Sequence, residues 1–214
     1  MMQKASVLCA GLVLGIVFSG CVSKQTHEQT LAELETVRQE ASQQAAADEK
    51  RLAEARLANQ RIAAQLKDLE KDKVTIQQIR DRLTITVVDR VLFESGSDTI
   101  TPKGMEVLNE VGAVLRDVRD RRIHISGHTD NILIGPSLRG RFRTNWELST
   151  ARATSVVRYL VDHAGIDPHM LTAVGHAYTQ PVADNDSEEG RSRNRRIEIV
   201  LYPKDLKSIV EGME

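Results

Sequence analysis

The chain has 214 residues, room for one or two domains, and its 29 basic and 30 acidic side chains nearly cancel. That balance, with no basic tract interleaved with aromatics, argues against a nucleic-acid partner. Its two cysteines, Cys9 and Cys21, both lie near the N-terminus, so no disulfide framework holds the rest of the chain together.

Met1 to Lys4 is a short, weakly basic start, and Ala5 to Gly20 is apolar and uncharged. A membrane-spanning helix needs ~20 apolar residues. The shorter run here suits the apolar core of a secretory signal. Phe18-Ser19-Gly20-Cys21 resembles a bacterial lipobox, with Phe18 in place of the usual Leu. The resemblance implies a signal peptide over 1–20, cleavage before Cys21, a lipidated Cys21, and a short linker over 21–25. A plain secretory signal with an incidental Cys is the alternative. Several acyl chains would hold a protein on a membrane where one alone is marginal. Val22 rather than Asp follows the cysteine. By resemblance to the lipoprotein sorting pattern, that implies the periplasmic face of the outer membrane.

From 26 to 80 there is no Gly or Pro, and Ala, Glu, Gln, Leu, Lys and Arg dominate. These are strong helix formers. With Leu31 at position a, the a series runs Leu31, Arg38, Ala45, Leu52, Asn59, Leu66, Lys73. The d series runs Leu34, Ala41, Asp48, Ala55, Ile62, Leu69, Ile76. Ten of these fourteen are apolar. The pattern predicts a helical stalk over 26–80 with a coiled-coil seam clearest after Leu52, and a homodimer through that seam. A solvated single helix remains open for its first half.

The second part of the chain holds most of the Gly and all five Pro, which predicts a globular head. Leu83, Ile85 and Val87 alternate with Thr84 and Thr86 as in a strand, and Val91 and Phe93 continue the phase. Thr101-Pro102 starts a helix whose stripe is Met105, Leu108, Val111 and Leu115. Ile123 to Ser126 reads as a strand, a long loop follows, and a helix runs from about Asn145 to Ala164, where Gly165 stops it. Leu171 to Val174 is a third strand, Gly175 to Asn194 a polar loop, and Arg196 to Leu201 a last strand. The expectation is an α+β fold of βαβαββ type, with two long helices on one face of a mixed four-stranded sheet. A tail follows over 204–214.

Three motifs stand in this part: GHTDN at 127–131, NWELSTARA at 145–153 and GRSRNRRIEI at 190–199. Together they resemble the OmpA-like peptidoglycan-binding domain, and the long loop with its NWELS spelling resembles the branch found in flagellar stator B subunits. The resemblance covers 83–203. It implies that Asp130 and Arg152 hold the side-chain end of meso-diaminopimelate in the peptidoglycan stem. That end carries an ammonium and a carboxylate on one carbon. A carboxylate receives the first, and a guanidinium grips the second through two parallel hydrogen bonds. The same resemblance makes Phe93, Thr129, Asn145, Ser149, Asn194 and Arg195 a supporting cleft. Asn145 and Ser149 are read chiefly as helix-start residues. Because strand side chains alternate, one of Arg195 and Arg196 faces the cleft and the other turns away.

His124, His128 and His176 do not form a metal set, since neither a Cys nor a second acid completes a tetrahedron. No Ser-His-Asp order or glycine-rich phosphate loop stands out, so no enzyme and no cofactor are expected. The loop Asn131 to Thr144 carries Ile132, Leu133, Ile134 and Leu138, then Arg139, Arg141 and Arg143. These arginines read as meeting glycan, phosphate or a partner protein, or as solvated. The expected whole is a non-enzymatic tether, with peptidoglycan at one end and a lipid-held membrane at the other. A stator-type subunit or a periplasmic adaptor of a secretion or division complex is the alternative.

Overall fold

A computed structural model of the chain describes residues 24–69, 74–79, 82–119 and 121–203. The expected signal peptide, the lipidated Cys21 and the tail 204–214 lie outside the described residues. The chain divides into two compact units, one up to Asp48 and one from Glu49 onward.

Helix α1 runs from Lys24 to Gln65. In the first unit Leu31 and Leu34 of the predicted seam are 49% and 60% exposed. In the second unit the same seam is covered. Ala55, Asn59, Ile62 and Leu66 are buried, and Ile62 and Leu66 join the core of the head. Arg121, itself buried, donates from Nη2 to the Ala55 carbonyl at 3.1 Å. The seam after Leu52 is therefore a packing face within the chain rather than a coiled-coil interface. An apolar stripe on a helix demands a cover but does not say which surface supplies it.

The predicted stalk is also too long. α1 stops at Gln65, and Val74–Ile79 forms strand β1. β1 pairs antiparallel with β2 (Arg82–Val88), placing Val74 opposite Val87 and Ile76 opposite Ile85. The β-branched alternation Val74-Thr75-Ile76 suits a strand, and Ile76 met the heptad count by coincidence of spacing. The sheet accordingly has five strands instead of four.

The remaining elements are α2 (Asp89–Leu92), α3 (Pro102–Leu115), β3 (Arg121–His128), α4 (Asn145–Asp162), β4 (Leu171–Ala177), α5 (Glu188–Asn194) and β5 (Arg196–Pro203). The strand order is β1-β2-β5-β3-β4, with β3 and β4 parallel and the other neighbours antiparallel. The mixed α+β architecture with two long helices agrees with expectation. Two local readings change: the strand phase through Val91 gives way to the one-turn α2, and the polar segment after Gly175 contains α5. The core joins Leu83, Ile85 and Val87 of β2, Ile123 and Ile125 of β3, and Ile197, Ile199 and Leu201 of β5 to apolar residues of α3 and α4.

Local signals start the helices. Thr101 Oγ1 accepts from the Gly104 amide at 2.9 Å, with Pro102 at the first helical position. Thr144 caps α4 in a reciprocal box with Glu147, whose Oε2 accepts from the Thr144 amide at 2.8 Å. The cap is thus Thr144, one residue before the Asn145 that the motif suggested. The first turns of α4 lie tight on the sheet. A Cβ at Gly127 would fall 2.2 Å from the Ser149 carbonyl oxygen, and one at Gly175 would fall 2.1 Å from Thr150 Oγ1.

The other face of the sheet carries His128, 2% exposed and stacked on His176 with ring centroids 4.8 Å apart. Its Nε2 lies 3.7 Å from Glu198 Oε2, and Arg196 binds the other oxygen of Glu198 at 2.6 Å. Burial, then the charge of Arg196, then His176 push the His128 pKa down to about 3. In the unfolded chain a histidine titrates near ~6.5. As pH falls below that value the unfolded state gains a proton that the folded state refuses until about pH 3, so stability drops across this window. The folding free energy contributed here should fall by about 2 kcal/mol between pH 8 and pH 5. Urea unfolding at the two pH values should show this loss in the native chain and a smaller one in His128→Leu. Equal losses would sink the assignment.

Candidate functional site

The ends of β3 and β4 and the first turns of α4 meet at one edge of the head. Thr129 continues β3, donating its amide to the Ala177 carbonyl at 2.8 Å and its hydroxyl to the Asp130 carbonyl at 2.9 Å. Asp130 is 7% exposed. Its Oδ1 accepts from the Ile132 amide at 3.0 Å, the local turn typical of Asp after a strand. Its Oδ2 accepts from Arg195 Nη1 at 2.6 Å. Arg195 Nη2 donates to Glu188 Oε1 at 2.6 Å, so this guanidinium bridges the strand end to α5.

Arg152 lies two turns into α4 and is 4% exposed. Its Nη1 meets Asp89 Oδ1 at 2.9 Å, its Nε donates to the Ser97 carbonyl at 2.9 Å, and its Cζ stands 5.2 Å from the centroid of the Phe93 ring. Phe93 is both a core residue and a wall for this cation. Asp89 was not anticipated from the sequence. The signal was present, since an acid interrupts the apolar run Val87-Val88-Asp89-Arg90-Val91-Leu92. Burial raises its pKa against the lowering pull of Arg152 and then Arg195. Its amide also donates to the Arg195 carbonyl at 3.0 Å, which ties the two halves of the site together.

The structure therefore brings two acids and two bases together, paired as Asp130 with Arg195 and Asp89 with Arg152. Asp130 and Arg152 lie within electrostatic range of one another, but each is held by a different partner. Of the five N–H donors on a guanidinium, Arg152 commits Nε and one on Nη1. The rest suit a planar carboxylate, and Asp130 keeps lone pairs for an ammonium. The arrangement suits recognition of a zwitterionic group.

The other predicted residues serve this frame. Asn145 Nδ2 donates to the Ile132 carbonyl at 2.8 Å and weakly to that of Asp130 at 3.4 Å, pinning the loop start instead of capping the helix. Ser149 Oγ accepts from the Ala177 amide at 3.1 Å and donates to the Trp146 carbonyl at 3.1 Å. Asn194 is fully buried and spends its amide on Val182, Ala183 and Asn185, so it builds the loop before α5 and does not reach the cleft. Arg196 points to the opposite face, toward Glu198. Ser97 and Glu188 join the site through the two arginines and were not anticipated.

Removing one partner of a buried pair strands the other charge, at a cost of about 3 kcal/mol or more. Asp89→Ala should destabilise the head by that amount in chemical denaturation, while Glu188→Ala, on the exposed side of Arg195, leaves the midpoint nearly unchanged. Matching midpoints for the two variants would show that Arg152 does not depend on Asp89.

Known proteins resemble the part of the chain that carries this geometry. The OmpA family matches residues 92–195. "Motility protein B" of Bacillus subtilis is 34% identical over 146 residues, which is 66% of this chain and 55% of that protein. The chain spans about half the length of the curated relatives it matches. The crystal structure of a MotB-like protein from Desulfovibrio vulgaris is 30% identical with a TM-score of 0.66, covering 71% of this chain and 93% of that one. The cell wall anchor of the T6SS from Pseudomonas aeruginosa is 35% identical with a TM-score of 0.60, covering 66% of this chain and 96% of that one. With its strand order, its helix-borne arginine and its strand-end acid in hand, the chain belongs to the OmpA family and carries an OmpA-like peptidoglycan-binding domain of the MotB branch.

Proposed function

We propose that the protein is a non-catalytic tether, which grips the diaminopimelate of peptidoglycan with its head and a membrane with a lipidated Cys21. The observation that carries the wall-binding half is the presence of Asp130 and Arg152 within electrostatic range of one another, both buried, each held by a different partner and each with binding capacity left. The side-chain end of meso-diaminopimelate supplies an ammonium and a carboxylate on one carbon, the complement of that pair. Binding there needs no bond making, and its strength comes from charge-assisted hydrogen bonds in a partly desolvated cleft. Support for the anchor is the apolar run Ala5 to Gly20 followed by Cys21, with Val22 favouring the outer membrane.

A second reading is a wall anchor within a larger envelope machine. It draws on the likeness to the motility protein and to the secretion-system anchor. The lipid-anchored reading is favoured because the run Ala5 to Gly20 holds no acid, is short for a membrane span and leads into Cys21.

Calorimetric titration of the purified chain should show binding of meso-diaminopimelate and none, or at least tenfold weaker binding, of lysine, which keeps the ammonium and lacks the second carboxylate. Asp130→Ala and Arg152→Ala should each weaken binding about tenfold or more, the worth of one charged hydrogen bond. Native affinity in both variants would remove the clamp from consideration. The anchor is tested separately by cell fractionation. Cys21→Ala should move the protein from the membrane to the soluble fraction, and unchanged membrane association would overturn lipidation.

A further inference from the structure

The geometry points to the long loop between β3 and α4, residues 131–144, as a positioning element for the carboxylate half of the cleft, acting through Leu138 and Arg141. Two contacts join this loop to the turn after Phe93. Leu138 presses on Gly96, where an added Cβ would fall 2.7 Å from Leu138 Cδ1 and where φ is +68°. Arg141 Nη2 binds Asp98 Oδ1 at 2.5 Å. Inside the turn the Ser97 amide donates to the Glu94 carbonyl at 3.0 Å, and the Thr99 amide donates to Ser97 Oγ at 3.0 Å. The Ser97 carbonyl then accepts Arg152 Nε.

The same loop also rests on the helix that carries Arg152. Ile134 and Phe142 are buried with Leu148 of α4 in a small cluster of their own, with Leu138 and Ala151 packed against it. One segment thus braces both the helix that supplies the guanidinium and the turn that sets its rotation. A bidentate grip on a carboxylate demands a fixed plane, and side chains in a binding site hold their geometry through the packing of their supports. Among the described residues, the Asp130 carboxylate accepts from Ile132 and Arg195, and neither bond comes from Leu138 or Arg141. Loosening these two contacts therefore degrades the carboxylate half and spares the ammonium half.

The inference rests on the wall-binding reading, and one experiment separates the two. The full chain is titrated with a muropeptide carrying meso-diaminopimelate and with the same muropeptide amidated at the side-chain carboxylate of that residue. Arg141→Ala and Leu138→Ala should each weaken the free acid about threefold or more and change the amide less than about twofold, with Arg141→Lys restoring native affinity. Arg141 is at the surface, its side chain 58% exposed, so its replacement leaves the melting curve in place even where Leu138→Ala lowers it. Parallel weakening of both ligands, or native affinity in both variants, overturns the positioning role. A native chain that binds neither muropeptide overturns the wall-binding reading, and the positioning role with it.

Discussion

Helix α4 sits so close to the sheet that a methyl group at Gly127 would come within 2.2 Å of the Ser149 carbonyl. No other residue type fits that approach without moving the helix or the strand. The distance matters because Ser149 and Arg152 ride on the same helix face that meets the sheet, while Asp130 stands just beyond the end of β3. Ser149 then holds the last amide of β4, and Ala177, at φ +50°, returns its carbonyl to Thr129. Strand ends, helix start and acid are thereby locked into one frame before any ligand chemistry is considered.

Charge is distributed within that frame so that each buried ion has a partner. Arg152 is among the most buried cations of the head, and a lone guanidinium there would cost several kcal/mol. Asp89 meets it from α2, and the backbone of Ser97 and the ring of Phe93 complete its surroundings. Asp130 is met by Arg195, which Glu188 holds from the solvent side. Two complementary pairs, instead of one direct Asp130–Arg152 pair, keep the acid and the base from cancelling each other. A direct pair would spend on itself the donors and lone pairs that a zwitterion requires.

The N-terminal helix shows one sequence pattern put to two uses. Its seam residues up to Leu34 are exposed in the first unit, whereas Ala55, Asn59, Ile62 and Leu66 are consumed by the head. Heptad spacing expresses the need of a stripe for cover, and both a second helix and a sheet edge with its flanking loops satisfy that need.

Much of the fold was legible before the structure. The alternation Leu83-Thr84-Ile85-Thr86-Val87, the Thr101-Pro102 start and the stripe of α4 each rest on interactions between residues near in sequence, and each element appears where local physics places it. The strand-end acid and the helix-borne arginine were legible too, because their motifs carry both residue type and local structure. Strand β1 was not, since Val74 and Ile76 become a strand only when β2 offers its free edge. Asp89 was passed over for a related reason: its partner lies 63 positions away on α4, and nothing nearby in sequence marks it as the acid that neutralises Arg152. By itself the sequence determined periodicity, caps, turns and the chemical types present at the cleft. Only the tertiary structure decided which acid pairs with which base, and that the helix after Leu52 packs on its own head, because both depend on surfaces that chain folding brings together across long separations.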